Sequence, residues 1–516
     1  MILRWNQIAT AAMGMLAALL LGTGAGHAET PKSGGTLRYG TVTEVANLDP
    51  HVYGGSAWKV LIEAIYSPLI GYGQDATVRP RLAASWDAPD ATTFTFHLRE
   101  GVTFHDGTPM TAEDVKYSFE RILDPATGAT LRTNLEGLTV TVVDQHTVTL
   151  RTPVPNAALL SVLALPEAAI VSKQWMDGAP NVKVEANGTG PFKLQAYEPS
   201  VRAILQKNPT YFEPGQPYLD AIEFKMIKSD DARVNALRTG SVDMIDFVPW
   251  KDIDTLRRQA GLTVDSAGGA FMNLWFNAVK APFDDPAVRR AITFAIDREG
   301  ISKAAFFGHG TPIYGPPTAE DSPFYNADLA ETFSYDPERA KTLLAEAGYP
   351  EGFNFTLTVF QGLGIYTTTA QIVQQNLKAV GIEAEIQLVE WATLLEQKNG
   401  GNYDAMIYGV SVKLPDPDAY AYYFGADSTY WASPIGYKDE VLESLLREGR
   451  SVIDLAARRQ IYRQVEERLL ETSPWTFINW REQAQAYRSS VHGYVHQSGA
   501  LSESSAGISL PVMWLD

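Results

Sequence analysis

The sequence predicts an α/β fold, and three patterns support that prediction. In residues 368–391, TTAQIVQQNLKAVGIEAEIQLVEW, a helical pattern ends at Gly381 and an alternating strand pattern follows at once. The second half of the chain contains helices with strong start signals, and the first half contains runs of alternating apolar and polar residues. Helices that alternate with strands over short links are typical of α/β proteins.

Two helices of the second half begin with the same aspartate-proline signal. Asp285 and Pro286 open DDPAVRRAITFAID, and Asp336 and Pro337 open YDPERAKTLLAEAGYPEG. The aspartate accepts from free amides of the first turn, and proline at the first helical position has no amide that needs a partner. A third long helix, LAARRQIYRQVEERLLETSPW, is predicted to end near Pro474.

Strands dominate the prediction for the first half. The stretch GGTLRYG alternates and the chain then breaks at Asp49-Pro50, which predicts a strand that leads into a turn. Residues 92–107 and 138–152 also alternate, and each is predicted to form a hairpin. Between them, TAEDVKYSFERIL is predicted to be an amphipathic helix capped by Thr111.

The first 28 residues have the pattern of a secretory signal peptide. Arg4 precedes an apolar run, and Gly26 and Ala28 occupy the small-residue positions of a cleavage site. The run is shorter than the roughly 20 residues of a membrane span. We therefore expect export to the periplasm and cleavage after Ala28. The chain has no cysteine, so the mature protein is expected to rely on its size rather than on disulfides.

The charge of the chain excludes some classes of partner. Its formal net charge is −18, and nucleic acids and anionic lipids are bound by basic surfaces. The length of 516 residues predicts two or three domains. We expect a monomer that has no stable insertion in the membrane.

The sequence contains none of the common catalytic signatures. There is no HExxH motif, no G-x-S-x-G elbow and no phosphate loop of the G-x-x-x-x-G-K-[ST] type. The glycines of GTGPFK, residues 188–193, are read as a turn that enters a strand. His492 and His496 lie in VHGYVHQ, which is predicted to be extended, so their imidazoles are not expected to share a metal ion. No enzyme activity, cofactor or metal is expected.

From about residue 35 to 495 the chain carries a series of moderately specific blocks in a fixed order. They are GGTLRYG with LDPH; IYSPLIGYG and VRPRLAASWD; FTFHLREGVTFHDGTPMTAEDVKYSFERI; GTGPFKL with NPTYF; MNLWFNAVKAPFDDPAVRRAITFAIDRE; YDPERAKTLLAEAGYP; GIEAEIQLVEW; and PDPDAY. This order resembles the extracellular solute-binding proteins of the peptide/opine/nickel group (family 5). These are the receptors that feed ABC importers, and they include oligopeptide- and dipeptide-binding proteins.

The resemblance implies a two-lobed periplasmic binding protein fold (type II, class C) with an extra inserted domain and a two-strand hinge. Lobe I would be discontinuous and lobe II continuous, with the hinge crossings near Gly268-Gly269 and Ser473-Pro474. The expected division is a signal peptide at 1–28, lobe I at 29–53, 178–267 and 478–516, an inserted domain at 54–177, and lobe II at 268–477.

The same resemblance implies the function. A solute bound between two lobes contacts both only when they close, so its affinity for the closed state shifts the population toward closure. The closed receptor would then deliver the solute to an inner-membrane ABC permease. A peptide or peptide-like solute is the main expectation for the ligand.

Lys413 marks a departure from the peptide-binding pattern. Relatives carry an aspartate ahead of the Asp-Pro-Asp turn, where it pairs with the α-ammonium of a peptide, and alignment places Lys413 at or beside that position. A lysine would repel an ammonium but can bind a carboxylate or phosphate. The stretch FQGLGIY, where some dipeptide binders present an arginine, has no cation. The alternative is that Lys413 faces solvent or pairs with Asp416 or Asp418.

The resemblance suggests further ligand-binding residues. Trp391 falls where relatives place a tryptophan against the ligand, and the alternative is a core tryptophan. Thr43 and Glu44 match a loop that touches ligand. The remaining candidates are Tyr408, Trp480 and Asp418, and Asp418 is equally suited to shaping the turn.

Several readings of the cargo stay open at this point. The departures favour an anionic or amine-blocked solute such as an opine, a modified peptide or a glycoconjugate. The same fold could bind a metal chelate or nickel complex, or could serve a chemoreceptor or assist folding. An exported hydrolase is a further alternative, but no nucleophile, base and oxyanion donors share a suitable spacing.

Overall fold

A computed structural model describes residues 30–42, 47–52, 56–320, 322–412, 414–426 and 435–516. The chain divides into two compact units, Met1–Lys32 and Ser33–Asp516. In the first unit the described residues 30–32 form no helix or strand. The helices and strands given below all lie in the second unit.

The described strands are numbered in chain order. The first ten are β1 (Thr36–Thr41), β2 (Ile70–Tyr72), β3 (Val78–Pro80), β4 (Ala83–Asp90), β5 (Thr93–Leu98), β6 (Thr139–Asp144), β7 (Thr147–Arg151), β8 (Phe192–Glu198), β9 (Arg202–Lys207) and β10 (Ala221–Met226). They are followed by β11 (Met244–Ile245), β12 (Leu262–Phe276), β13 (Gly310–Pro312), β14 (Asn354–Phe360), β15 (Glu383–Val389), β16 (Ala405–Ser411), β17 (Trp475–Arg488), β18 (Val491–His492) and β19 (Trp514–Leu515).

The described α-helices are numbered in the same way. The first eight are α1 (Ser56–Ile65), α2 (Ala112–Leu123), α3 (Leu159–Leu163), α4 (Lys173–Asp177), α5 (Asp230–Thr239), α6 (Ile253–Arg257), α7 (Pro286–Ala295) and α8 (Arg298–Ala305). They are followed by α9 (Pro337–Glu346), α10 (Gly364–Lys378), α11 (Trp391–Gly400), α12 (Ala419–Phe424), α13 (Glu440–Ser451), α14 (Leu455–Thr472) and α15 (Ser505–Ser509). A 3-10 helix, Gly499–Ser504, precedes α15.

One large mixed sheet runs through the second unit. Its strand order is β15-β14-β16-β12-β17-β11-β1-β10-β9-β8, and β13 pairs with β17 at the side. The long antiparallel strands β12 and β17 join the two halves of this sheet, because β16 pairs with the second part of β12 and β11 pairs with the last part of β17. The predicted α/β class is confirmed.

The helix start signals are confirmed. Helix α7 begins at Pro286, and the carboxylate of Asp285 accepts from the amide of Ala287 at 2.7 Å. Helix α9 begins at Pro337, with Asp336 as its N-cap. Thr111 likewise caps α2, where its backbone amide donates to Asp114 at 2.9 Å.

A separate four-stranded sheet lies within the predicted inserted domain, in the order β4-β5-β7-β6. Strands β6 and β7 form the hairpin predicted for residues 138–152. The hairpin predicted for residues 92–107 is wrong, since β5 lies between β4 and β7 and the chain then turns. The strand predicted for VHGYVHQ is also wrong beyond His492, because Gly493 has a φ of 79° and interrupts the extended backbone.

The two long strands meet irregularly near their middle. The pairing of β12 with β17 shifts between Gly268 and Ala270, so Gly269 is left out of the ladder. The backbone oxygen of Gly269 accepts from the amide of Val412 at 3.2 Å. Such a bulge bends a strand and increases its local twist.

The pairing also bears on the second predicted crossing. Gly268 faces Glu482, so the bulge on β12 lies opposite residues 481–482. Ser473 and Pro474 lie before the start of β17, at the other end of the strand. The bulge on β12 and Ser473-Pro474 are therefore not opposite each other, and both hinge crossings, like the lobe boundaries, stay a prediction.

Candidate functional site

Four aromatic side chains meet at the carboxyl ends of the parallel strands β14 and β15. Trp391 contacts Phe360 and Tyr408 with ring centroids 5.3 and 5.6 Å apart, and Phe360 contacts Tyr366 at 5.7 Å. We call this group, Phe360, Tyr366, Trp391 and Tyr408, the aromatic edge. In open α/β sheets, ligands bind in the crevice outside the carboxyl ends of the strands.

Local sequence explains why these rings converge. Phe360 is the last residue of β14, and Trp391 is the first residue of α11 after β15 ends at Val389. Because β14 and β15 are parallel and in register, with Phe360 opposite Val389, both connections leave the sheet at the same edge. The side chain of Trp391 stays 38% exposed. An exposed tryptophan on an aromatic support is suited to contact with a solute.

The ring of Tyr408 packs against the ring of Trp391. It is 2% exposed and its ring stacks on Trp275 with centroids 4.3 Å apart. The ammonium of Lys398 lies 5.9 Å from the Tyr408 ring, and burial lowers the pKa of Lys398 to about 8. Burial therefore limits direct contact between Tyr408 and a solute. The ring of Tyr408 instead packs against Trp391.

An arginine of the long strand β17 reaches the same region. Arg481 pairs through its backbone with Ala270, and its side chain lies over Gly409 of β16. A Cβ built on Gly409 would be 3.0 Å from Arg481 Nη1 and 2.5 Å from Tyr366 Oη. Glycine at position 409 therefore leaves the space that both polar groups occupy.

Trp480 lies on the other face of the same strand. It is partly buried, and its ring contacts Phe271 with centroids 5.3 Å apart in a perpendicular arrangement. The Cβ of Trp480 lies 3.6 Å from the point that a Cβ on Gly268 would occupy, next to the bulge of β12. The structure thus places Trp480 at the junction of the two sheet halves and apart from the aromatic edge.

Asp418 does not join the aromatic edge. Its side chain is 3% exposed, and both carboxylate oxygens accept from Nε of Arg450, at 3.1 and 3.0 Å. Tyr462 donates a further hydrogen bond to it at 3.3 Å. We correct the assignment of Asp418 to the ligand, since its carboxylate is engaged by the protein. Its neighbour Asp416 is bound in the same way by Arg458, at 2.9 and 3.0 Å.

The other predicted ligand residues are Thr43, Glu44 and Lys413. They lie outside the described residues, so their assignments stay predictions. Ser411, which ends β16 two positions before Lys413, is described. Its hydroxyl donates to Glu503 Oε1 at 2.7 Å and joins this strand end to the segment Gly499–Ser504.

The segment around Glu503 also contacts a group of buried charges on and near α1. Lys59 is 3% exposed, and its ammonium is 3.8 Å from Glu503 Oε2. Burial acts to lower the pKa of Lys59, but Glu167, Glu503 and Glu63 outweigh it and the pKa is raised. Burial raises the pKa of Glu63 to about 8. Sequence inspection missed this group because Glu167 and Glu503 are far in the chain from Lys59 and Glu63.

A small polar cavity lies next to the same segment. It has a volume of about 20 Å³ and is lined in part by Tyr39, Asp246, Gln485, His496 and Glu503. Burial raises the pKa of Asp246 to about 6 and lowers that of His496 to about 4, which leaves the imidazole neutral. Space of this size accommodates about one water molecule, so the cavity is too small for a solute.

The histidines considered for metal binding have other partners. His492 Nε2 lies 2.9 Å from Asp516 Oδ2, and His496 Nδ1 lies 2.6 Å from the hydroxyl of Tyr494. Within the described part of the chain, no three His, Asp or Glu side chains are grouped so that they could hold a metal ion. The described helices include none that is long and apolar enough to cross a membrane.

The fold and the aromatic edge define a class of two-lobed α/β binding proteins. Residues 77–431 match the model of the bacterial extracellular solute-binding proteins, family 5 Middle. The chain belongs to this family, and it is a solute-binding protein of an ABC importer.

The chain is similar to two binding proteins over most of its length. It is 28% identical over 493 residues to the oligopeptide-binding protein AppA of Bacillus subtilis, covering 90% of this chain and 89% of that protein. It is 26% identical over 463 residues to the glutathione-binding protein GsiB of Escherichia coli K12, covering 87% of this chain and 89% of that protein. These relatives are binding proteins rather than enzymes.

Solved structures give the same result. The binding protein AgaA from A. tumefaciens R10, in complex with agropinic acid, is 36% identical with a TM-score of 0.85, covering 93% of this chain and 99% of that one. DppA from Helicobacter pylori, in complex with the peptide STSA, is 27% identical with a TM-score of 0.82, covering 94% and 98%. The predicted two-lobed periplasmic binding protein fold is confirmed.

Proposed function

We propose that this receptor binds a peptide-like acid whose amine is blocked or absent, such as an opine. The similarity to AgaA carries the proposal. Its identity of 36% exceeds the 27% with DppA and the 26% with the AppA structure, which contains a nonapeptide. AgaA was solved with agropinic acid, so an acid of this type is the first candidate for the cargo.

The sequence supports an acidic cargo. Lys413 takes the place where the resemblance expects an aspartate for a peptide ammonium, and a cation there repels an ammonium and attracts a carboxylate. Trp391, earlier in the chain, supplies an exposed apolar surface. Thr43 and Glu44 are the proposed contacts from lobe I.

The mechanism proposed is closure of two lobes around the solute. Lobe I comprises residues 29–53, 178–267 and 478–516, lobe II comprises 268–477, and the inserted domain comprises 54–177. Strands β12 and β17 are the proposed hinge, with Gly269 at its bend. A solute that contacts both lobes only in the closed state shifts the population by its differential affinity.

The place of action follows from the first residues of the chain. Residues 1–28 are proposed to direct export, with cleavage after Ala28, so that the receptor works as a monomer in the periplasm. Its proposed partner is an inner-membrane ABC permease that recognises the closed form. The acidic charge of the chain gives no basis for binding nucleic acid.

Calorimetric titration tests the proposed ligand class. The probes are agropinic acid, the dipeptide Met-Leu and N-acetyl-Met-Leu, which lacks only the free ammonium. We expect agropinic acid and the acetylated dipeptide to bind at least about tenfold more tightly than Met-Leu, because the ammonium would meet a cation. Equal or tighter binding of Met-Leu than of its acetylated form would contradict the proposal and favour a peptide receptor.

A further inference from the structure

Arg481 is a partly buried arginine of β17 that has no acidic partner among the described residues. Its Nε is buried and has no hydrogen-bond partner. Among the residues that the structure describes, no carboxylate forms an ion pair with it, whereas Arg450 and Arg458 pair with Asp418 and Asp416. The part of the chain that the structure describes therefore supplies no counter-ion to this guanidinium.

Two fully buried arginines of this half, Arg289 and Arg298, have backbone acceptors for their donors. Arg289 donates to the backbone oxygens of Phe283, Thr472 and Ser473. Arg298 donates to the backbone oxygen of Phe477 at 2.9 Å and to three further carbonyls. Among the described residues Arg481 has no such backbone acceptor, so its donors are available to another group.

The hydroxyl of Tyr366 faces the same space as the guanidinium. Tyr366 Oη and Arg481 Nη1 both lie within 3.0 Å of the point that a Cβ on Gly409 would occupy. No hydrogen bond joins Tyr366 Oη to any other described residue. Two donor groups from different elements therefore converge over a backbone position that lacks a side chain.

The location of this pair is next to the aromatic edge. Tyr366 contacts Phe360, and Phe360 contacts Trp391, the exposed ring of the edge. The stretch Phe360–Tyr366 carries no cation of its own. The side chain of Arg481 approaches this stretch from β17. It places a positive charge beside a stretch that has no cation of its own.

We propose that Arg481 and Tyr366 bind the carboxylate of the solute, with Gly409 leaving the room that these two donor groups occupy. A guanidinium binds a carboxylate with two parallel hydrogen bonds, and the phenol hydroxyl can donate a third. This inference rests on the proposed function, since it names the residues that recognise the acid. It makes Arg481 a ligand-binding residue as well as a member of a hinge strand.

The test measures the affinity of variants for an acid and for its neutral amide. The acid is whichever of agropinic acid, N-acetyl-Met-Leu and Met-Leu binds the wild type most tightly, and its carboxamide is the matched probe. We expect Arg481→Ala to weaken binding of the acid at least about tenfold, and Arg481→Lys and Tyr366→Phe to weaken it less. None of these variants should weaken binding of the carboxamide to the same extent.

Arg488→Ala is the matched control. Arg488 is on the same strand, and its guanidinium donates to the backbone oxygen of Leu237 at 3.2 Å, away from the aromatic edge. We expect its affinity for the acid to equal that of the wild type. Thermal melting of each ligand-free variant verifies that it is folded. If Arg481→Ala does not fold, Arg481→Gln replaces it in the affinity measurements.

Two outcomes would overturn the inference. One is unchanged affinity of folded Arg481→Ala or Arg481→Gln for the acid, and the other is an equal loss for the acid and its carboxamide. The proposed function fails separately, when Met-Leu binds as tightly as its acetylated form or more tightly. Met-Leu still has a carboxylate, so the Arg481 variants remain decisive in that case.

Discussion

The buried charged residues of this protein differ in how many hydrogen-bond and ion-pair partners the fold provides for them. Asp416 and Asp418 are each bound by an arginine, and Arg298 is bound by backbone oxygens. Glu63 is different, because its Oε2 is buried without a hydrogen-bond partner and burial raises its pKa to about 8. A carboxyl group in such a place is kept protonated at neutral pH rather than ionised.

The stability of the protein should therefore fall as the pH rises through the titration of Glu63. Its pKa is raised in the fold from an ordinary value of 4.5 to about 8, so the folded state holds a proton that the unfolded state has lost. The stabilisation is complete below pH 4.5 and is lost as the pH rises towards 8. In Glu63→Gln, we expect this decline in the free energy of unfolding to shrink by at least about 1 kcal/mol.

Urea denaturation at several pH values measures this effect. The exposed Glu100 provides the control, since Glu100→Gln should leave the pH profile unchanged. A profile of Glu63→Gln that is parallel to that of the wild type would show that Glu63 does not hold a proton in the fold.

Trp391 should be a main source of binding energy. It is the exposed ring of the aromatic edge and rests on Phe360 and Tyr408. We expect Trp391→Ala to weaken binding of the cognate acid by about tenfold or more, and Trp391→Phe to weaken it less, because a ring remains. Titration calorimetry checks both, with Leu388→Ala on the exposed side of β15 as the control. Equal affinity of Trp391→Ala and wild type would exclude the aromatic edge as the ligand surface.

Residue roles were predictable from sequence only in part. Trp391 was proposed because the resemblance places a tryptophan of relatives against the ligand at this position, and the structure exposes it at the edge of the sheet. Arg481 was missed because its approach to Gly409 and Tyr366 depends on the pairing of β16, β12 and β17. No local pattern reveals which distant strands become neighbours.

At the scale of elements, signals that act within a few residues gave correct predictions. Asp285-Pro286 and Asp336-Pro337 start helices because cap and backbone geometry are local effects. The long strands β12 and β17 were not predicted as strands, because the lobe II part of β12 is buried on both faces and shows no alternation. The hairpin predicted for 92–107 failed since β5 pairs with two strands distant in sequence.

The bend in β12 provides a sharp test of packing at the hinge. A Cβ on Gly269 would overlap the hydroxyl of Ser502 and lie 2.6 Å from the backbone oxygen of Gly499, whereas a Cβ on Gly268 would make an ordinary 3.6 Å contact with Trp480. We expect Gly269→Ala to lower the free energy of unfolding by about 1–3 kcal/mol, as overpacking does. Gly268→Ala should be close to neutral.

Urea denaturation of the two glycine variants distinguishes these expectations. Similar stabilities of Gly269→Ala and Gly268→Ala would mean that the segment Gly499–Ser504 moves away freely and does not restrain the hinge. A loss confined to Gly269→Ala would support close contact between this segment and β12.

For the whole molecule, the sheet topology accounts for the proposed movement. Strands β12 and β17 connect the two halves of one sheet, and the bulge at Gly269 interrupts their ladder. The sequence predicted the two-lobed class through the order of its blocks, while the lobe boundaries stay a prediction. Domain architecture depends on which segments return to which lobe, and composition does not determine that.

Small-angle X-ray scattering of the purified protein, with and without a saturating amount of the acid that binds most tightly, tests the central claim most directly. Lobe closure around the solute predicts a smaller radius of gyration and a shorter maximum dimension in the bound state. Identical scattering curves at full occupancy, verified by calorimetry on the same samples, would contradict closure as the mechanism.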